Sequence, residues 1–246
     1  MEEEILIKID NVKKEYPGGF CLGPVSLELY SGTTIAFLGK NGAGKSTFFQ
    51  LLTGNSDASS GSILLGDKKL TPDKFELKRE LGYLPQNLHL PKWATCLEIL
   101  RYGASLYQLD DADKKITAAI EYWDCSFFKN KPLAACSHGM QKRVGLAIAN
   151  LHDPACLILD EPFSGLDLFH TKALETVIKN RQDSGKTTLI STHIAPYVAQ
   201  LCQKVYTVEL GSINLLKNWD GADYLKKISL IEDEFFSRSK HNQSNS

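Results

Sequence analysis

The sequence predicts an α/β fold with a mainly parallel core sheet, an antiparallel β portion at the N-terminus and a helical insertion. Three observations lead there. Short apolar, β-rich runs at Thr33–Leu38, Ala155–Leu159, Thr187–Ile190 and Val205–Val208 alternate with helix-period stretches. The strands before residue 35 are joined by turns rather than by helices, as an antiparallel arrangement requires. Between about Asn87 and His152 the strand signals fade and helix-length patterns take over.

Taken in chain order, Ile5–Ile9 reads as the first strand, and Tyr16-Pro17-Gly18-Gly19 is turn chemistry before a second strand around Cys21–Leu29. Thr33–Leu38 ends in a glycine-dense loop. A helix then runs from Lys45 to Leu52, with Gly54 placed to end it. Short strands come next at Ser62–Leu65 and Leu81–Leu84, and helices at Cys96–Leu109 and Asp111–Trp123. No internal repeat is present.

Composition narrows the class. The chain has 246 residues, 43% hydrophobic and 23% charged, enough for a substantial core. Its formal charge of -1 carries no basic footprint for nucleic acid, and none is expected as a partner. No apolar run reaches the roughly 18–20 residues of a membrane span, and Met1-Glu2-Glu3-Glu4 is too acidic for a secretory leader. These features point to a cytosolic chain, or one held at a membrane through a partner. Six scattered cysteines without C-x-x-C spacing argue against a zinc site or a disulfide framework.

Gly39-Lys40-Asn41-Gly42-Ala43-Gly44-Lys45-Ser46-Thr47 fits G-x-x-x-x-G-K-[ST] between a strand and a helix, the context this phosphate-binding loop requires. Small residues let successive N–H groups converge on phosphate oxygens, and the helix after the loop adds its free amides and positive dipole end. Lys45 would reach the β- and γ-phosphates and Ser46 would offer a hydroxyl to Mg²⁺. The pattern predicts a nucleoside triphosphate site. Cys156–Leu159 is an apolar strand ending in Asp160 and Glu161. In a parallel sheet such a strand can lie beside the one feeding the phosphate loop, and both would then deliver their groups to the carboxyl edge. Asp160 suits the Mg²⁺ shell, and Glu161 suits polarisation of a water for in-line attack.

The segment Cys136–Arg143, succeeded by apolar helical Val144–Leu151 and then by the Asp160 strand, adds a further motif. With it, residues 4–215 or so resemble the ABC ATPase family, whose L-S-G-G-Q-like signature lies upstream of Walker B. The resemblance implies an ABC nucleotide-binding domain over residues 1–220, with a RecA-like P-loop core and a helical subdomain at about 87–152. Residues 221–246 are left as a C-terminal tail with a disordered polar end from Ser237.

By the same resemblance, Gln86 stands at the Q-loop glutamine, touching Mg²⁺ or the attacking water. Ser164–Asp167 stands at the D-loop, and His193 at the switch histidine that meets the γ-phosphate. Tyr16 stands where an aromatic ring stacks on adenine. Ser137 and Gly139 would meet the γ-phosphate of a second chain, so that two copies close head-to-tail on two ATP molecules. Cys136, His138 and Met140 depart from the commonest signature, and the S-x-G-M style is nearest the drug- and polysaccharide-exporter branch.

As a whole, the resemblance implies an ATP-hydrolysing subunit on the inner face of the cell membrane, powering export through separate integral membrane permease subunits. The aromatics of the insertion, Trp93, Tyr102, Tyr107, Trp123, Phe127 and Phe128, are expected mostly in its core. The runner-up is a non-transport ABC ATPase acting on nucleic acid or ribosomes, which would commonly add a second cassette, coiled-coil arms or zinc modules. A P-loop kinase would need an acceptor pocket and has no use for the signature or the D-loop.

Overall fold

A computed structural model describes the backbone of residues 4–243 and side chains through residue 234. Strands β1 (Ile5–Glu15), β2 (Cys21–Tyr30), β4 (Ser60–Leu65) and β5 (Lys68–Lys69) form an antiparallel sheet in the order β2-β1-β4-β5. The second sheet contains β3 (Thr34–Leu38), β6 (Leu81–Leu84), β7 (Cys156–Asp160), β8 (Thr187–Thr192), β9 (Lys204–Glu209) and β10 (Ser212–Leu215). Its order is β10-β9-β3-β8-β7-β6, and every pairing is parallel except the β9–β10 hairpin.

The Asp160 strand does not take the place beside the phosphate-loop strand that a parallel sheet would allow it: β8 stands between them. Both neighbours of β8 are wholly buried strands, β3 and β7, whose apolar runs carry no mark of sheet order. The interposed strand brings Ser191 and His193 to the same edge.

Period-two alternation divides the interior into two layers. On β3, Ile35 and Phe37 face α1 (Lys45–Leu52) and the antiparallel sheet, while Ala36 and Leu38 face the helical side; on β7, Cys156 and Ile158 part from Leu157 and Leu159 in the same way. Phe37 anchors the first layer, stacking on Tyr206 at 5.4 Å and meeting Phe48 and Phe49 of α1 at 5.0 and 5.5 Å. The phosphate loop is thus suspended between a buried strand and a helix bolted to the same face of the sheet.

Helices α2 (Phe75–Lys78), α3 (Cys96–Leu106), α4 (Ala112–Tyr122) and α5 (His138–Asn150) precede β7, and the last three build the insertion. Thr95 closes a capping box with Glu98 at the start of α3. Of the six insertion aromatics, Trp123 and Phe128 are buried, but Trp93, Tyr102 and Phe127 are 78%, 70% and 60% exposed, so the expected packing fails for half of them. Composition gives no hint of which ring faces water. Helices α6 (Leu168–Asp183) and α7 (Ala195–Leu201) flank β8, and α8 (Tyr224–Gln243) comes after β10. The polar stretch expected to be disordered from Ser237 is helical through Gln243; residues 244–246 lie outside the described residues. A narrow apolar stripe is enough to dock this helix: Ile231 is buried, and Ile228 and Leu230 pack on the core. No helix among the described residues is long and apolar enough to cross a membrane.

His152 fastens the insertion to the sheet edge. Its Nε2–H donates to the Leu81 carbonyl at 3.2 Å, its ring stacks on Tyr107 at 3.7 Å, and its Nδ1 is buried without a partner. Burial pushes its pKa from 6.5 down to about 4, so the fold disfavours the imidazolium. Stability is then complete above about pH 6.5 and lost as the pH falls toward 4, where the unfolded chain takes up a proton that the folded chain refuses. With a discount for the partly exposed ring, the loss is about 1–2 kcal/mol. Urea unfolding at pH 7.5 and pH 5 should show this difference in the parent and a smaller one in His152→Gln.

Candidate active site

The phosphate loop leaves β3 at Gly39 and enters α1 at Lys45. Gly39 has no room for a side chain, since a Cβ would lie 2.3 Å from the Val208 carbonyl oxygen. Gly44 caps α1 with φ +113, a left-handed conformation that glycine adopts without strain. A cavity of about 230 Å³ opens over the loop, lined by Lys40, Asn41, Gly42, Gly44, Lys45, Ser46, Thr47, Gln86 and Phe20.

Within it, the buried Lys45 ammonium donates to the Gly39 and Lys40 carbonyls at 2.6 and 3.2 Å and pairs with Glu161 Oε1 at 3.2 Å. Ser46 Oγ donates to Gln86 Oε1 at 3.4 Å, which joins the start of α1 to the loop after β6. Of the expected loop residues, Gly39 and Ala43 are buried and do not line the cavity.

β7 delivers Asp160 and Glu161, 1% and 4% exposed. Ser191 on β8 donates its hydroxyl to Asp160 Oδ1, and the Glu161 N–H is held by both Oγ and the carbonyl of Ser191, at 3.0 and 3.1 Å. His193 Nδ1–H donates to Glu161 Oε2 at 3.1 Å. The interposed β8 therefore orients both carboxylates. Asp160 Oδ2 is buried and has no hydrogen-bond partner. That orphaned oxygen, with Ser46 Oγ and Gln86 Oε1, makes an oxygen-only donor set suited to a hard cation such as Mg²⁺.

Ser137 caps α5, its Oγ accepting from the Met140 N–H at 3.2 Å. Ser137 and Gly139 do not line the phosphate-loop cavity of their own chain; at Gly139 the loop after β7 comes close instead, since a Cβ there would stand 2.9 Å from the Gly165 carbonyl oxygen. A polar chain ties the same elements further along. Asp167, the cap of α6, accepts from His170 Nδ1–H at 2.8 Å, leaving His170 Nε2 to accept from Arg143 Nη1 at 2.9 Å. Arg143 also donates to Asp124 Oδ2 at 3.0 Å and lies over the Phe127 and Phe128 rings.

Sequence reasoning did not single out Ser191, Lys142 or Phe20. Ser191 carries no spacing signal, because its role depends on sheet order. Lys142 is buried, and its ammonium donates to the Glu161 carbonyl at 3.0 Å. Burial lowers its pKa to about 8 against the pull of the Asp160 and Glu161 carboxylates. Phe20, not Tyr16, supplies the aromatic wall of the cavity: the two rings are 6.2 Å apart, and Lys14 lies over Tyr16. The Tyr-Pro-Gly-Gly turn carries the chain past the cavity, so the ring four residues later reaches it.

The "ABC transporter" family model matches residues 22–164, more than half the chain. The chain belongs to the ABC transporter family. An ABC transporter's ATP-binding subunit is an ATPase, and this chain is one. It is 30% identical over 223 residues to the lantibiotic transport ATP-binding protein SrtF of Streptococcus pyogenes, covering 91% of this chain and 95% of that one. Among solved structures, the "ATP binding subunit of ABC transporter" superposes with a TM-score of 0.81 at 25% identity, covering 92% of this chain and 99% of the other. The cbiO1 protein of Clostridium perfringens, described as part of the ABC transporter complex cbiONQ, superposes with a TM-score of 0.74 at 27% identity, covering 98% and 100%. The P-loop core with antiparallel sheet and helical insertion is the ABC nucleotide-binding fold.

If Phe20 stacks on the base, Phe20→Ala should weaken ATP binding about 5–150-fold, the range of one base–aromatic contact, and Tyr16→Ala should weaken it less. Equilibrium titration with a fluorescent ATP analogue measures both.

Proposed function

We propose that this ATP-binding subunit drives export through separate integral membrane subunits, by ATP-dependent closure of two copies in a head-to-tail sandwich. The observation that carries the catalytic half of this reading is the convergence on Glu161 of Lys45, His193 and Ser191. In the proposed cycle, the backbone from Gly39 to Thr47 cradles the phosphates, and Lys45 neutralises the β- and γ-oxygens. Arriving phosphates compete with Glu161 for the Lys45 ammonium, so the carboxylate is released as the substrate binds. Glu161 then accepts a proton from the attacking water, with His193 holding Oε2 and touching the γ-phosphate. Ser46, Gln86 and Asp160 would hold Mg²⁺, which when bound supplies charge neutralisation between the β- and γ-phosphates.

Ser137 and Gly139 stand clear of the phosphate-loop cavity of their own chain, which supports their service to a second chain's nucleotide. Export is supported by the S-x-G-M style of the signature and by the likeness to a lantibiotic transport protein. The likeness to cbiO1, part of a transporter complex, supports membrane subunits as partners and a place on the cytoplasmic membrane face. A groove of about 470 Å³ where α2 and β6 meet α3 and α5, flanked by exposed Phe75 and Leu106, is the proposed seat for a cytoplasmic helix of such a subunit. A helix there would touch the core and the insertion at once.

Glu161→Gln should lower turnover about 10²–10⁴-fold with ATP affinity retained, and with MgATP the variant should elute at twice the mass of the chain. Parental turnover would overturn the assignment of the base. A monomeric mass at saturating ATP would overturn the sandwich.

A further inference from the structure

The helix that begins at Ser137 also reaches the catalytic carboxylate of its own chain. Lys142 lies five residues into α5 and turns inward, 1% exposed, among the buried Arg143, Val144, Gly145 and Leu146. An ammonium is costly to bury, and a methionine of the same length would fill the space. What the lysine adds is a donor: Nζ–H to the Glu161 carbonyl oxygen at 3.0 Å, which otherwise accepts only a long 3.4 Å bond from the Ser164 N–H.

That carbonyl belongs to a strained residue. Glu161 has φ +47, in the left-handed region that non-glycine residues enter at an energetic cost and hold only when their surroundings enforce it. Its N–H is fixed by Ser191 and its C=O by Lys142. With both peptide groups pinned, only the side-chain torsions remain to carry the carboxylate to Lys45 and His193.

We infer that Lys142 is a positioning residue for ATP hydrolysis, holding the backbone of Glu161 so that its carboxylate faces the phosphate loop. The inference rests on Glu161 as the base. It also makes α5 a connection between two sites: Ser137 at its first turn serves the nucleotide on a second chain, and Lys142 steers the base in its own. A push on one end of a rigid helix is felt at the other.

The test is single-turnover ATP hydrolysis by excess full-length chain with MgATP, comparing the parent, Lys142→Met, Lys142→Arg, Glu161→Gln and the double variant Lys142→Met/Glu161→Gln. Lys142→Met should slow hydrolysis about 10–100-fold while changing the ATP concentration for half-saturation less than about 2-fold. Lys142→Arg, which keeps a charged donor, should recover at least about half of the lost logarithm of rate. In the Glu161→Gln background, Lys142→Met should change the residual rate less than about 2-fold, because a group that acts only through Glu161 has nothing left to position. Replacing the buried ion by an apolar residue of similar volume should leave the thermal midpoint at or above that of the parent.

No rate change in Lys142→Met overturns the inference. So does the same factor lost in both backgrounds, which is the mark of a packing defect. Parental turnover by Glu161→Gln alone, a separate measurement, overturns the assignment of the base and the inference with it.

Discussion

The site is organised around a buried ion pair. Lys45 and Glu161, each about 5% exposed and 3.2 Å apart, are two charges that water has largely abandoned. Such a pair is held only when the remaining donors and acceptors are satisfied by fixed groups nearby. Here the satisfaction comes from three strand ends. The loop after β3 turns the Gly39 and Lys40 carbonyls onto the ammonium, and the end of β8 aims Ser191 and His193 at Glu161. β7 must end at Asp160 for the next residue to meet them. The parallel register of β3, β8 and β7, with Leu38 opposite Thr192 and Asp160 opposite Ser191, is what brings these ends level.

The division of the interior serves that register. Phe37, Phe48, Phe49 and Tyr206 lock α1 to one face of the sheet, so the loop between β3 and α1 is held at both ends. The other face carries the insertion through α5, whose inward side presents Val144, Leu146 and Ala147 to the core and Lys142 to Glu161. One layer fixes where phosphate would sit, and the other fixes the group that would act on it.

Much of this was legible in the residues, and the rest was not for physical reasons. β3, the phosphate loop, α1 and the end of β7 could be read because an apolar strand, a glycine loop and a helix of set length leave local marks. The position of β8 between β3 and β7 could not, because five- and six-residue buried strands look alike whichever neighbour they choose. With sheet order hidden, Ser191 was hidden too. Lys142 resembles any surface lysine until the helix is rotated into place. Phe20 escaped notice because it reaches the cavity only through the hairpin turn after Tyr16, which reverses the chain. The last helix was missed because its sequence is mostly polar and only a thin stripe, including Ile228 and Ile231, meets the core.

The close approach of Gly139 to the Gly165 carbonyl has a further consequence. Gly165 has φ +79, and a Cβ there would fall 2.8 Å from the His138 ring. The imidazole of His138 therefore occupies space that any side chain at 165 would need, and the carbonyl of 165 occupies space that one at 139 would need. Residues 138, 139 and 165 share a single volume, distant in sequence and inseparable in substitution. Glycine at 165 is called for twice, by its own backbone and by the ring of His138, and glycine at 139 by the carbonyl which that backbone sets against it.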